Sequence, residues 1–309
     1  MTDSTSGLRR KIESAGDLQS VVRTMKAIAA SNVGQYEKSV RALNDYYRAV
    51  ELGLSVCFRQ GEPVTPAAAA RPEARTGADG VDAIVFGSDQ GLVGRFNEVI
   101  ADHAMKTLAD RTGHARIWAV GERVQARLSD AGVPLQGLFT VPASVKAITP
   151  LVGRILLESG TSHARPEAGE LYLFYNRPAS GADYEPVAAR LLPLDDNWHR
   201  GLAALRWPTG NLPEAIGDRT ATLRTLIGEY LFISLFRACA ESLASENASR
   251  LAAMQRADQN IDGLLEHLRG TLQRVRQGSI DEELFDVISG FEALLGRDAP
   301  SAKSSATSA

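Results

Sequence analysis

The chain has 309 residues, of which 44% are hydrophobic and 23% charged, and its formal net charge is -3. That balance is the one of an ordinary soluble protein with length enough for two domains, and it gives no reason to expect a nucleic-acid or membrane-surface partner. Hydrophobic runs such as 230–235 fall far short of the ~18 residues of a membrane span, and the start, Met1-Thr2-Asp3-Ser4, lacks the basic and apolar regions of a signal peptide, so a cytoplasmic location is expected.

Residues 1–7 are small and polar, and a helix is expected from there to about Arg59. Its apolar residues Leu8, Ile12, Ala15, Leu18, Val22, Met25, Ala29, Val33 and Tyr36, continuing to Leu54 and Cys57, step by threes and fours, which is the spacing of a coiled-coil seam. Pro63, Pro66 and Pro72 then forbid helix, and 61–80 reads as a linker.

From 81 to 212 strand and helix patterns alternate, which predicts a Rossmann-like α/β domain with a mainly parallel sheet. Strands are expected at 81–86, 115–120, 136–141, 170–175 and 186–192, the last two as an antiparallel edge. Helices are expected at 95–109, 122–130 and 144–158, the last opened by a serine cap at Ser144. Residues 176–183 read as a turn-rich loop, and 198–218, with Pro208 and Pro213, as a connection.

No proline interrupts the chain between Pro213 and Pro300, and 223–295 is dense in good helix formers, so 213–296 holds one long helix of roughly 110 Å. A second seam runs Leu251, Met254, Ala257, Ile261, Leu265, Leu268, Leu272 and Val275. If the two long helices pair antiparallel, Leu8 lies near Leu272. Beyond that point the second helix lacks a partner in its own chain, yet it carries Ile280, Leu284, Val287, Ile288, Phe291, Leu294 and Leu295, a patch that another molecule is expected to surround. The Ser/Ala-rich tail, 297–309, is expected to be disordered.

Chemistry is scarce. The two cysteines, Cys57 and Cys239, sit among apolar helix residues and read as buried free thiols, and none of the five histidines has a metal-ligand spacing. The loop Gly87-Ser88-Asp89-Gln90-Gly91-Leu92-Val93-Gly94-Arg95-Phe96-Asn97 lies between strand and helix, where α/β folds bind phosphates. Its spacing is not G-x-G-x-x-G, however, and no Gly-Lys-Ser/Thr follows. No nucleophile elbow, zinc motif or paired Cys-x-x-Cys occurs, so no catalytic residue, cofactor or metal is expected.

Three stretches carry a resemblance. Met25-Lys26-Ala27-Ile28-Ala29-Ala30-Ser31, the loop Ser88 to Asn97, and Ser245-Glu246 with Arg250, Ala253-Met254, Ala257 and Asn260 followed by Arg276-Gln277-Gly278-Ser279-Ile280 occur in that order. Together with the two long helices they resemble the gamma subunit of F-type ATP synthases over residues 7–296. Asn32 stands where that family usually has lysine, Val93 replaces cysteine, Asp281 replaces threonine and Phe291 replaces alanine, departures that suggest a divergent branch, an alternate bacterial ion-translocating ATPase.

The resemblance implies a non-catalytic rotor shaft on the cytoplasmic face of the bacterial membrane, attached only through its complex. Its bare tip would turn inside a ring of alpha and beta subunits, with the α/β domain resting on the c-subunit ring beside epsilon. It also implies that Arg276, Gln277, Asp281 and Glu283 contact a beta subunit and that Met25, Lys26 and Arg250 lie near the lever that beta swings. Val287, Ile288, Phe291, Leu294 and Leu295 would form the bearing. A non-rotary coiled-coil scaffold and an α/β enzyme with a helical appendage are the other readings; the apolar overhang argues against the first, and nucleotide binding by the purified chain would decide the second.

Overall fold

The run Val81–Phe86 is apolar at nearly every position, so it needs cover on both faces of a sheet. The computed structural model describes residues 4–59, 80–109, 115–159, 170–179, 183–194, 196–211, 213 and 217–295. By packing it divides into two units, Met25–Gln255 and Met1–Thr24 with Arg256–Ala309. Two long helices, α1 (Thr5–Arg59) and α6 (Arg219–Leu295), contribute to both.

In the larger unit the apolar run is β1 (Val81–Phe86), followed by α2 (Phe96–Ala109), β2 (Ala115–Val120), α3 (Glu122–Asp130), β3 (Leu135–Phe139), α4 (Val145–Glu158), β4 (Glu170–Pro178), β5 (Tyr184–Leu192) and α5 (Asp196–Ala204). The sheet order is β3-β2-β1-β4-β5. Every neighbour pair is parallel except β4 with β5. Alternate residues face opposite sides of the sheet. Val81, Ala83, Val85, Ile117, Ala119, Tyr172 and Phe174 pack with α2 and α3, while Ile84, Phe86, Trp118, Val120, Leu173 and Tyr175 pack with α4 and with α1 and α6 residues such as Leu54, Leu231 and Leu235. Burying each aromatic of this core, such as the fully enclosed Phe86 and Phe174, contributes about 2–3 kcal/mol.

Several boundaries differ from the sequence expectation. Residues 176–178 are strand rather than loop, because β5 supplies partners for them: Asn176 faces Pro186, Arg177 faces Glu185 and Pro178 faces Tyr184. The third strand starts at Leu135 and stops at Phe139. Ser144 occupies the N-cap position of α4, but its side chain makes no capping hydrogen bond.

The connection expected at 198–218 contains a helix, α5. Aromatic packing holds it, with Trp198 edge-on to Phe58 and Tyr230 at centroid distances of 5.8 and 5.1 Å, and no local sequence pattern announces such a contact. The long helix α6 begins at Arg219, before the expected Leu223, where the Asp218 carboxylate accepts the Thr220 N–H at 2.9 Å. The expected linker, apart from Gly80, and the tail lie outside the described residues.

The smaller unit is an antiparallel helix pair. Its seam differs from expectation at one step: Leu18 is 55% exposed, and Gln19 is buried in its place. The Gln19 amide donates to Asp258 at 3.1 Å and to Asp262 at 2.5 Å, and Arg23 pairs with Asp258 at 3.1 Å. Directional polar bonds therefore decide which residue of the first helix faces the second. Leu8, at the start of the same helix, is buried with 1% exposed.

Candidate interaction surfaces

In the smaller unit every residue from Arg276 to Phe291 is exposed. At 3.6 residues per turn Ile280, Leu284, Val287 and Phe291 step by three or four and share one side of α6, with Ile288 beside them at its edge. Arg276 and Gln277 begin that same side one turn earlier, and Glu283 and Asp281 lie on its two margins. Exposures of 53% at Ile280, 57% at Leu284, 70% at Val287 and 62% at Phe291 leave a continuous apolar stripe in water, which is costly for an isolated chain. Leu294 and Leu295 complete the helix, but their side chains lie outside the described residues. One arginine stands against the four carboxylates of Asp281, Glu282, Glu283 and Asp286, so the tip is acidic as well as apolar.

In the larger unit Met25 and Arg250 share a cavity of about 430 Å³, together with Asn32, Tyr36, Asp89, Gln90 and Glu246. Lys26 is half-buried and is not part of that lining. Arg250 is not a free surface cation. It donates to Glu246 at 2.6 Å, with 11% and 7% of the two side chains exposed. Burial pushes the Glu246 carboxyl above its ordinary range, an effect the Arg250 charge opposes and the nearby Asp89 charge reinforces. Burial, with Glu246 adding to it, likewise moves the Tyr36 phenol up to about 12. From the sequence Glu246 stands out only as part of the resemblance and Tyr36 only as a seam residue; the four-residue spacing from Glu246 to Arg250 is the signal for the pairing of those two.

The loop after β1, which shares the position but not the glycine spacing of a phosphate site, is built for packing. A Cβ at Gly87 would sit 2.5 Å from Val124 Cγ1 and 2.7 Å from Asn97 Oδ1, so glycine there permits close approach of α3. Its polar groups are engaged internally. Ser88 N–H donates to Asn97 Oδ1 and Asn97 Nδ2 to Ser88 Oγ, both at 2.9 Å. The Asp89 carboxylate accepts the N–H of Glu122 at 3.0 Å and of Val141 at 2.9 Å, tying the loop to the start of α3 and the exit of β3.

A family model described as ATP synthase matches residues 4–294. ATP synthase gamma chains from Arthrobacter sp. (strain FB24) and Desulfitobacterium hafniense (strain DSM 10664 / DCB-2) are 27% and 28% identical, with the matches covering 93% and 94% of this chain and 96% and 99% of those proteins. Among solved structures, a chain of the Euglena gracilis mitochondrial ATP synthase OSCP/F1/c-ring superposes with a TM-score of 0.62 at 15% identity, covering 98% of this chain and 99% of that one. A chain of the Tetrahymena thermophila central stalk/c-ring gives 0.53 at 18%, covering 77% and 99%.

Proposed function

This chain belongs to the ATP synthase gamma-chain family, and from that premise we propose that its exposed tip turns inside the catalytic ring of an F-type ATP synthase. Its role is that of the central rotor shaft. The observation that carries the tip assignment is the bare apolar side of α6 from Ile280 to Phe291, which the described residues of the chain leave uncovered. A static scaffold made of two matched helices has no need of such an overhang.

Arg276 and Gln277, at the lower end of the stripe, supply hydrogen-bonding groups to a beta subunit, with Glu283 and Asp281 flanking them. The larger apolar residues above act as a bearing, since apolar contact is non-directional and holds without locking. Met25, Lys26 and Arg250 lie on the part of the shaft that the beta lever approaches. The α/β domain is the foot, resting on the c-ring with epsilon beside it, on the cytoplasmic side of a bacterial membrane. No helix among the described residues is long and apolar enough to cross a membrane, in keeping with attachment through the complex.

The subunit contributes no catalytic group; it couples ion flow to the beta sites by rotation, biasing distant sites through one stiff element. The test is a bead attached to the α/β domain of the complex purified from its own cells. ATP should drive unidirectional rotation of the bead, and alpha, beta and epsilon should copurify. A complex that hydrolyses ATP while the bead stays fixed would remove the reading.

A further inference from the structure

A foot that turns a helix must grip it. The contact between the α/β domain and α6 is largely apolar, made by buried residues such as Leu231, Leu235, Ala238 and Ala240. Such a contact resists separation, but being non-directional it does not by itself single out one rotation of the helix in its groove.

Two serines add directional contacts to it, beside the Arg177–Glu241 ion pair at 3.6 Å. Ser245 and Ser249 are 1% and 9% exposed and stand one helical turn apart, on one side of α6. Ser249 Oγ donates to the Val93 carbonyl at 2.6 Å, and Ser245 Oγ donates to the Asn176 carbonyl at 3.0 Å. The two acceptors belong to different parts of the foot, the loop after β1 and the strand β4. Asn176, itself fully buried, locks these parts together by donating its Nδ2 to the Phe96 carbonyl at 3.0 Å. Two directional bonds on one side of a helix define both its rotation about its own axis and its position along it, and in a buried, low-dielectric place they are strong.

We propose that Ser245 and Ser249 are positioning residues that key the α/β domain to α6, so that torque applied to the foot reaches the helix without slip. The loop Ser88 to Asn97 is then one jaw of this grip: its internal bonds through Ser88, Asp89 and Asn97 hold the Val93 carbonyl in place. The proposal rests on the rotor reading for its consequence, but the grip itself is a property of the chain alone.

The test uses Ser245→Ala with Ser249→Ala in the full complex, with the exposed Ser20→Ala as control. ATP hydrolysis should stay within about twofold of wild type, because no catalytic group is touched, whereas ions pumped per ATP against a steep opposing gradient should fall at least about twofold as the joint slips. Ser20→Ala should leave both unchanged. Wild-type pumping per ATP in the assembled double variant overturns the proposal.

Because the double variant could fail to assemble, amide exchange is also read on the isolated full-length Ser249→Ala chain. Exchange in residues 88–97 should quicken about five- to tenfold, as loss of one buried hydrogen bond predicts, with β1 unchanged. Unchanged loop exchange also overturns the proposal. A chain that loosens in this assay, in a wild-type complex that does not rotate, would leave the grip standing and remove the rotor.

Discussion

Gln19 donates its side-chain amide to the buried carboxylate of Asp258 at 3.1 Å, at the seam position where apolar spacing alone puts Leu18. The polar contact thus sets the azimuth of the first helix. A buried carboxylate deprived of one donor costs about 1–3 kcal/mol, so Gln19→Ala is expected to destabilise the chain by that amount. Leu18→Ala, at a position 55% exposed, should stay within about 0.5 kcal/mol. Urea unfolding of the two variants checks the contrast, and equal losses would mean that the seam tolerates either residue.

Gly121 has φ of 115°, and a Cβ built on it would lie 2.8 Å from the Ser88 backbone. Backbone cannot retreat as a flexible side chain can. Gly121→Ala is therefore expected to cost about 3 kcal/mol or more, joining the strain of that φ to a clash at the loop. Gly132→Ala, where φ is 76° but nothing lies within 4 Å, should cost no more than about 2 kcal/mol. Thermal unfolding ranks the two.

Tyr36 holds its proton more tightly in the folded chain than in the unfolded one, its pKa rising from 10.0 to about 12. The native state then binds more protons between these values, so stability must fall as pH climbs from 10 towards 12, by on the order of 2 kcal/mol for this group. Burial of the phenol is the main cause and the Glu246 charge the next. Tyr36→Phe should remove that part of the alkaline loss. Denaturant midpoints at pH 9 and 11 measure it; other phenols with raised values, Tyr175 and Tyr184 among them, keep the remainder.

Arg276 and Gln277 are exposed at the start of the bare stripe, with no hydrogen bond or ion pair to hold them among the described residues. Replacing both with Ala should leave the unfolding of the isolated chain within about 0.5 kcal/mol. In the assembled complex the same change should lower ATP hydrolysis about tenfold, since hydrogen bonds that involve a charged group contribute roughly 1.5–3 kcal/mol. Phe291→Ala should likewise spare the isolated chain and weaken assembly. Identical assembly and coupled activity with Phe291→Ala would mean that the bulkier side chain is not matched by its socket.

Much of this molecule follows from local rules. Proline-free stretches with seams at steps of three and four yield two long helices, because that spacing exposes an apolar strip that only another helix covers. The apolar run Val81–Phe86 calls for cover on both faces, as a parallel sheet provides, and the surplus of apolar residues past Leu272 already describes an end that the described residues leave uncovered. The places where the folded chain departs from those rules are places where a distant residue decides. Gln19 turns inward because Asp258 and Asp262 wait there, and α5 forms because Trp198 finds Phe58 and Tyr230. Arg250 is enclosed beside Glu246, in a cavity that Asp89 and Gln90 of the distant loop also line. The serines of α6 look like ordinary small helix residues until Val93 and Asn176 stand opposite them. Periodicity records which side of an element shuns water, whereas a hydrogen bond needs two partners, and the second is brought near only by folding.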